Sequence, residues 1–191
     1  MLRSWVFWAA VPGLMTSPMI TTTLFFHQVH LVEIKSWDLS TYVLFIPAYS
    51  AATLFSLYLI GYLVDKLSTK IILPVFLFPL ISGLLLLSIA TSYLELFLIF
   101  ILLGLSAGAY IVVYGTFFPE FFGSLYLGSV RTVGVTIMVF SSAIGPVLSG
   151  YFIDLGYLID HQFKFFATFS AIASLLFLTI NLSVKLPENA K

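Results

Sequence analysis

The sequence predicts an all-α, polytopic membrane protein with six transmembrane helices arranged as two inverted three-helix repeats. Three observations lead to this fold class: a very apolar composition, six long apolar runs, and an uneven distribution of Lys and Arg between the ends of those runs. Of the 191 residues, 61% are hydrophobic and only 8% are charged, whereas a soluble domain carries about 25% charged residues. This composition excludes a soluble enzyme and a disordered chain.

The charge balance and the cysteine content exclude further classes. Eight Lys and Arg balance eight Asp and Glu, so the chain lacks the basic surface that binds nucleic acid. The chain contains no Cys, which removes disulfides and thiolate metal sites. We therefore expect the lipid bilayer as a partner, but no nucleic acid, metal or cofactor.

The apolar runs account for nearly the whole chain. A helix crosses a hydrocarbon layer of about 30 Å with about 20 mostly apolar residues, and lipid requires the backbone polar groups of such a run to pair internally. The predicted spans are helices A to F, at residues 5–27, 39–64, 71–90, 94–118, 130–153 and 163–182. Residues 1–191 are therefore predicted to form a single six-helix membrane domain.

Helix A is predicted to stay in the mature protein as a bent span. Its apolar run is too long for the core of a signal peptide, and no small-residue cleavage site follows it. Pro12 and Pro18 lie inside the run, and each proline removes a helical hydrogen bond. Either the bend is a simple kink, or it lines a pathway.

The basic residues predict the orientation of the spans. Six of the eight lie at one set of helix ends, namely Arg3, Lys66, Lys70, Arg131, Lys185 and Lys191, and the other two are Lys35 and Lys164. Cytoplasmic loops carry the excess of Lys and Arg. We therefore expect both termini in the cytoplasm and a multi-pass protein of the plasma membrane, or of the inner membrane in a Gram-negative bacterium.

Two short segments echo each other. Residues 61–65 read Gly-Tyr-Leu-Val-Asp at the end of helix B, and residues 150–154 read Gly-Tyr-Phe-Ile-Asp at the end of helix E. Each closes the second helix of a three-helix group, and the charge count places the two segments on opposite sides of the membrane. This is the inverted-repeat pattern of secondary transporters, although a match of five residues also arises by chance.

The loop between helices B and C carries the strongest local signal. Asp65, Lys66 and Lys70 lie together between two long apolar spans. They form either a solvated turn with topology-setting cations or a charge cluster that pairs with a neighbouring helix end and favours one conformation.

This loop resembles that of the major facilitator superfamily, whose loop after the second helix of each half reads G-x-L-x-D-R/K-x-G-R-K. The matching residues are Gly61, Leu63, Asp65, Lys66 and Lys70. Ser68 and Thr69 depart from the pattern, because they replace a Gly and a basic residue. A second resemblance, to helices four to six of the C-terminal half, comprises Phe121-Phe122-Gly123, Leu127-Gly128, Gly145-Pro146, Gly150 and Asp154.

The resemblance implies one six-helix half of a twelve-helix transporter, with the C-terminal half favoured. The implied function is transport of a small solute by alternating access, with a second six-helix half or a second copy of the chain as partner. The implied conformational gate consists of Gly61, Asp65, Lys66 and Lys70, together with Arg131. The alternative is a fragment, a split gene product or an assembly partner that moves no solute.

Polar side chains within the spans are candidates for the solute pathway. The candidates are Thr22, His27, Tyr49, Tyr110 and Tyr114. Ser and Thr on helices more often bond the preceding turn. No charged residue lies in the middle of a span, so the sequence offers no proton-carrying carboxylate there.

Small residues recur in helices D and E and raise two further interpretations. Close helix packing through small-xxx-small contacts is the first. In the second, residues 104–108 fit G-x-S-x-G, which suggests an intramembrane serine protease with Ser106 as nucleophile. That chemistry needs a His base within hydrogen-bond reach, whereas the three His residues lie near the predicted outer helix ends.

Overall fold

The structure, a computed structural model, describes residues 3–123 and 127–183. This part of the chain forms helices joined by short connections and contains no strand. The helices are α1 Trp5–Phe26, α2 Gln28–Ile34, α3 Leu39–Leu44, α4 Ile46–Leu67, α5 Thr69–Ile72, α6 Phe78–Ile89, α7 Tyr93–Phe122, α8 Leu127–Asp154 and α9 Ile159–Ser183. The predicted all-α class is confirmed.

Five helical stretches among the described residues are long and apolar enough to cross a membrane. They are Trp5–Phe26, Leu39–Leu67, Tyr93–Phe122, Gly128–Asp154 and Ile159–Ser183. They correspond to predicted helices A, B, D, E and F. The prediction of a continuous helix C over residues 71–90 is wrong, because α6 has 12 residues and at 1.5 Å per residue is only about 18 Å long.

Two prolines explain the break between α5 and α6. Neither Pro74 nor Pro79 has a backbone N–H, so neither can donate the helical bond to the residue four positions earlier. Tighter turns replace the helix here, as in the bond from Phe78 N to the Val75 carbonyl at 3.1 Å. The hydroxyl of Ser174 on α9 donates to the Pro74 carbonyl, which satisfies a backbone oxygen in an apolar surrounding.

Other boundaries differ from the predictions by about one turn. Helix B is interrupted at Phe45 because Pro47 lies in the first turn of α4. Helix D continues past Pro119 to Phe122 and ends where Gly123 adopts φ of 77°. This extra turn places Glu120 on the helix. Helix F begins four residues earlier than predicted, at Ile159.

The long helices pack in a regular pattern. α7 packs mainly against α4 and α6, whereas α1 packs mainly against α8 and α9. α6 also packs against α9, which joins the two groups, and the contacts of α7 with α1 and α8 are sparse. The described core therefore has α1 and α7 at its centre, with α4 and α8 on the outside.

Small residues bring the backbones of paired helices together. A Cβ atom on Gly104 of α7 would overlap the Tyr49 carbonyl oxygen and lie 2.8 Å from the Cβ of Ala52. A Cβ atom on Gly145 of α8 would likewise overlap the Met19 carbonyl oxygen of α1. The interpretation of these glycines as close packing positions is confirmed.

The connections gather at two ends of the bundle, which we call the Lys35 end and the Lys66 end. At the Lys35 end, the Lys35 ammonium lies 2.8 Å from the Asp160 carboxylate, and the Trp37 indole N–H donates to the Thr91 carbonyl at 3.0 Å. The Asp38 carboxylate, at the same end, accepts from the backbone N–H of Thr41, which holds the pKa of Asp38 below its usual value. The grouping of the A–B, C–D and E–F loops on one side follows the prediction.

The Lys66 end holds the loop between α4 and α5 and the starts of α1 and α8. The ring of Phe7 on α1 packs against Phe122 at the end of α7, with ring centroids 6.5 Å apart. Arg131, near the start of α8, is exposed. Lys185 and Lys191, which contribute to the predicted orientation, lie outside the described residues.

Candidate functional site

One face of α7 runs along the middle of the bundle and changes character along its length. Toward the Lys35 end this face presents Leu96, Phe100 and Leu103, and further along it presents Tyr110 and Tyr114. Residues at these spacings of three and four share one side of a helix. The face is therefore apolar in its first half and carries hydroxyl groups in its second half.

Three hydroxyl groups on this face have no hydrogen-bond partner among the described residues. They belong to Ser106, Tyr110 and Tyr114, which are spaced four residues apart. The rings of Tyr110 and Tyr114 pack together with centroids 5.7 Å apart. A buried hydroxyl without a partner costs free energy, so three in a row along a central helix need an explanation. We call Ser106, Tyr110 and Tyr114 the hydroxyl row.

Tyr114, the last residue of the hydroxyl row, lies beside α8. A Cβ atom on Gly134 of α8 would lie 2.8 Å from the Tyr114 hydroxyl oxygen and 2.6 Å from the ring of Phe118. Gly134 therefore provides the space that these rings occupy. α7 and α8 have few contacts, and Tyr114 and Phe118 supply some of them.

A small cavity adjoins the apolar half of the same face. It lies between α1, α4, α6 and α7, and its walls include Thr21, Phe25, Tyr49 and Leu103. Its volume is about 10 Å³, enough for roughly one water molecule. Of the predicted pathway residues only Tyr49 lines this cavity, and its ring packs against that of Phe25 at 5.7 Å between centroids.

The other two predicted pathway residues make structural contacts. The Thr22 hydroxyl donates to the Pro18 carbonyl in its own helix, as Thr residues in helices commonly do. The Nε2 atom of His27 lies 3.0 Å from the Pro146 carbonyl oxygen, and the acceptor oxygen requires that Nε2 carry the proton. His27 thus joins the end of α1 to α8, and Gly150 leaves room for its ring.

Among the described residues, those of the predicted gate form no salt bridge with one another. Asp65 and Lys66 are exposed, and Lys66 Nζ lies 4.5 Å from the centroid of the Tyr62 ring. The one ion pair found among the described residues joins Lys35 to Asp160 at the opposite end. A Cβ atom on Gly61 would meet nothing within 4 Å.

Glu120 of α7, which sequence reasoning missed, is the acid that binds the backbone just after the turn between α4 and α5. Its carboxylate accepts from the backbone N–H of Thr69 at 2.9 Å and from that of Lys70 at 3.4 Å. The buried Thr69 hydroxyl also donates to that of Thr116, at 2.7 Å. Because helix D was predicted to end at residue 118, Glu120 was placed beyond the span. The signal that could have found it is its position one turn from the Gly123 helix stop.

The turn between α4 and α5 contains a serine in a backbone conformation that suits glycine. Ser68 adopts φ of 83° and ψ of 153°, a region essentially reserved for glycine. In the resembling pattern a Gly stands at this position. The departure at Ser68 therefore places a strained residue in this turn.

Ser68→Gly is expected to stabilise the folded chain by roughly 1 kcal/mol, because it relieves this strain. Thermal unfolding of the purified protein in detergent measures the change. Ser40→Gly is the matched control, since Ser40 is exposed within the short helix α3 and its replacement removes no strained φ. Equal midpoints for Ser68→Gly and the unchanged protein contradict the prediction.

The hypothesis of an intramembrane protease finds no positioned base. Ser106 is 1% exposed, and its hydroxyl contacts no His among the described residues. His27 is engaged with the Pro146 carbonyl. Within residues 3–123 and 127–183 no group of three or more His, Cys, Asp or Glu could hold a metal ion either.

The long apolar helices define the class of this protein as a multi-pass, α-helical membrane protein. The sequence profile of the Major Facilitator Superfamily matches residues 1–191. The chain therefore belongs to the Major Facilitator Superfamily, a family of transporters. The comparison with curated proteins and the comparison with solved structures each returned no match.

Proposed function

We propose that the chain is one six-helix half of a secondary transporter that moves a small solute by alternating access, and that the hydroxyl row of α7 lines the solute pathway. The observation that carries the proposal is the set of three neighbouring hydroxyls without partners on the central helix. Hydroxyl groups that both donate and accept suit a polar solute. Their unmet hydrogen bonds are the groups that such a solute would satisfy.

The packing pattern supports two inverted three-helix repeats. Helices A, B and C correspond to α1, α4 and α6, and helices D, E and F correspond to α7, α8 and α9. When each helix is exchanged with its counterpart in the other group, the pair α4–α7 becomes α8–α1 and the pair α6–α7 becomes α9–α1. Both members of each exchange are major packing pairs. Both pairs α4–α7 and α8–α1 also contain a close glycine contact, at Gly104 of α7 against α4 and at Gly145 of α8 against α1. In this proposal residues 69–89 form the sixth span as a broken helix.

The exposed helices support a second half or a second copy as partner. α4 and α8 have the smallest buried shares of the five long spans, with Phe55, Tyr58 and Val147 among their exposed side chains. The cavity beside α7 holds no solute at its present volume. A partner that faces α4 and α8 would supply the second wall of a pathway. The resemblance in helices D to F favours this chain as the C-terminal half.

The orientation and the gate belong to the same proposal. Both termini and the Lys66 end would face the cytoplasm of a plasma or inner membrane, since four of the six Lys and Arg among the described residues lie at that end. Gly61, Asp65, Lys66 and Lys70, with Arg131, would act as the gate, attached to α7 through Glu120. The exposed carboxylate of Asp65 is free to pair with a second half.

A non-transporting fragment or assembly partner is the second candidate function. The small volume of the cavity beside α7 favours it, because the described residues leave no space for a solute there. Solute flux into liposomes separates the two candidates. Flux with the chain alone or together with a second half supports transport, and its absence in both preparations supports the fragment.

Water access to the hydroxyl row tests the pathway without knowledge of the solute. The chain contains no Cys, so Ser106→Cys, Tyr110→Cys and Tyr114→Cys each introduce a single thiol. We expect a water-soluble maleimide, added to membranes that contain the chain and its partner half, to label at least one of these thiols at ten or more times the rate of the control.

The matched control is Ile111→Cys, which lies on the same helix and is 51% exposed on its outer side. Lipid should surround this position and exclude the reagent. Rates for all three row variants that equal the Ile111→Cys rate would falsify the pathway, because the hydroxyl row would then be dry core.

A further inference from the structure

A second cavity lies apart from the hydroxyl row, between α8 and α9 at the Lys35 end. Its volume is about 170 Å³, and its walls include Leu148, Phe152, Tyr157 and Phe165. These side chains are between 36% and 61% exposed, so the cavity opens to the outside of the bundle. We call it the α8–α9 cavity.

One buried amide in this cavity has an unused donor. Gln162 is 6% exposed, and its Nε2 atom has no hydrogen-bond partner among the described residues. The hydroxyl of the fully buried Ser149 donates to Gln162 Oε1 at 2.6 Å. With the hydroxyl as donor, Oε1 is the acceptor, and Nε2 is the end of the amide that has no partner among the described residues. The Nε2 group is left to donate to a molecule in the cavity.

The depth of the amide identifies the layer of the bilayer that it meets. α8 has 28 residues and at 1.5 Å per residue is about 42 Å long, close to the 40–45 Å of a bilayer with its headgroups. Gln162 lies three residues after the start of α9 and Ser149 five residues before the end of α8. The amide is therefore about 5–8 Å below the helix ends, where the headgroup layer meets the hydrocarbon.

We propose that the α8–α9 cavity binds a glycerolipid, with the Gln162 amide donating to an ester carbonyl and the first carbons of the acyl chain packing against Leu148, Phe152 and Phe165. Ester carbonyls are the acceptors that a diacyl lipid presents at this depth. The cavity is similar in volume to an engineered cavity of about 150 Å³ that binds benzene. It therefore holds the ester group and a few carbons, while the rest of the lipid lies along the exposed surface.

Lipid binding to the purified chain tests this proposal. Native mass spectrometry compares dipalmitoylphosphatidylcholine with its diether analogue, which has the same chains and headgroup but no ester carbonyls. We expect the diester lipid to bind about fivefold more tightly, the effect of one hydrogen bond. Gln162→Leu should reduce diester binding to the level of the diether.

Two further variants complete the test. Gln28→Leu is the matched control, because Gln28 lies in α2, outside the α8–α9 cavity, and it should bind both lipids as the unchanged protein does. Leu148→Trp should fill the cavity and weaken binding of both lipids while leaving Gln162 in place. Equal binding of diester and diether lipids by the unchanged protein overturns the proposal, as does a preference for the diester that survives in Gln162→Leu.

Discussion

Gly104→Ala is expected to destabilise the folded bundle by roughly 1–3 kcal/mol, the usual effect of overpacking a tight contact. The added Cβ atom would overlap the Tyr49 carbonyl oxygen and lie 2.8 Å from Ala52 Cβ. Backbone cannot rotate away as a flexible side chain can. α4 must therefore move away from α7, along the largest helix interface among the described residues.

The measurement is the free energy of unfolding of the purified chain in mixed detergent micelles. Gly115→Ala is the matched control, because Gly115 lies on the same helix and a Cβ atom there meets nothing within 4 Å. Both substitutions carry the same gain in helix propensity, so their difference isolates the overlap. If the Gly104→Ala variant is as stable as the Gly115→Ala variant, the close packing of α4 against α7 at Gly104 is contradicted.

The same comparison is available on α8. A Cβ atom on Gly145 would overlap the Met19 carbonyl oxygen, whereas one on Gly128 meets nothing within 4 Å. Similar losses for Gly104→Ala and Gly145→Ala are expected if the two repeats pack alike.

Glu120→Ala is expected to release the loop between α4 and α5 from α7. It removes the carboxylate that accepts from the backbone N–H groups of Thr69 and Lys70. Hydrogen bonds to a charged acceptor contribute about 1.5–3 kcal/mol, and Thr69 is fully buried. We therefore expect amide hydrogen exchange at residues 69–72 to accelerate by roughly tenfold or more.

Two variants show which acid holds the loop. Glu120→Gln keeps one acceptor oxygen and should show a smaller acceleration. Asp65→Asn should leave the exchange rates at 69–72 unchanged, because the structure gives the Asp65 carboxylate no bond to this segment. If amide exchange at residues 69–72 is fast in Asp65→Asn and slow in Glu120→Ala, Asp65 and not Glu120 holds this segment.

Transport separates the roles of the same two acids. If Asp65 pairs with a second half to stabilise one conformation, Asp65→Asn should slow solute flux through the assembled transporter while membrane insertion stays normal. Wild-type flux in that variant removes Asp65 from the gate and leaves Glu120 as the acid that organises the loop.

Local hydropathy predicted most of the fold because burial in lipid depends on runs of about 20 residues. Helices A, B, D, E and F were found within about one turn. Helix C failed since its apolar run contains Pro74 and Pro79, whose missing N–H groups interrupt the helix whatever the hydropathy. The Gly-rich pattern of helices D and E likewise predicted close packing without revealing which helices approach each other.

Some features of the candidate site could be predicted from the sequence, and others needed the tertiary structure. The sequence alone was enough to select Tyr110 and Tyr114 as polar residues on an apolar span, and Asp65, Lys66 and Lys70 as a charged loop. Only the tertiary structure distinguished Tyr114, whose hydroxyl has no hydrogen-bond partner among the described residues, from His27, which bonds Pro146 of a distant helix. The partner of a polar group depends on chain segments far apart in sequence, so composition and spacing do not specify it.

Membership in the class of multi-pass membrane proteins was thus determined by the amino-acid sequence, because transfer of apolar runs into lipid is a local property of each run. The tertiary structure decided which carboxylate binds the backbone of Thr69 and Lys70, which hydroxyls on α7 stay unpaired among the described residues, and which amide is buried between α8 and α9. Each depends on a contact, or on the absence of a contact among the described residues, between helices that meet only after the chain has folded.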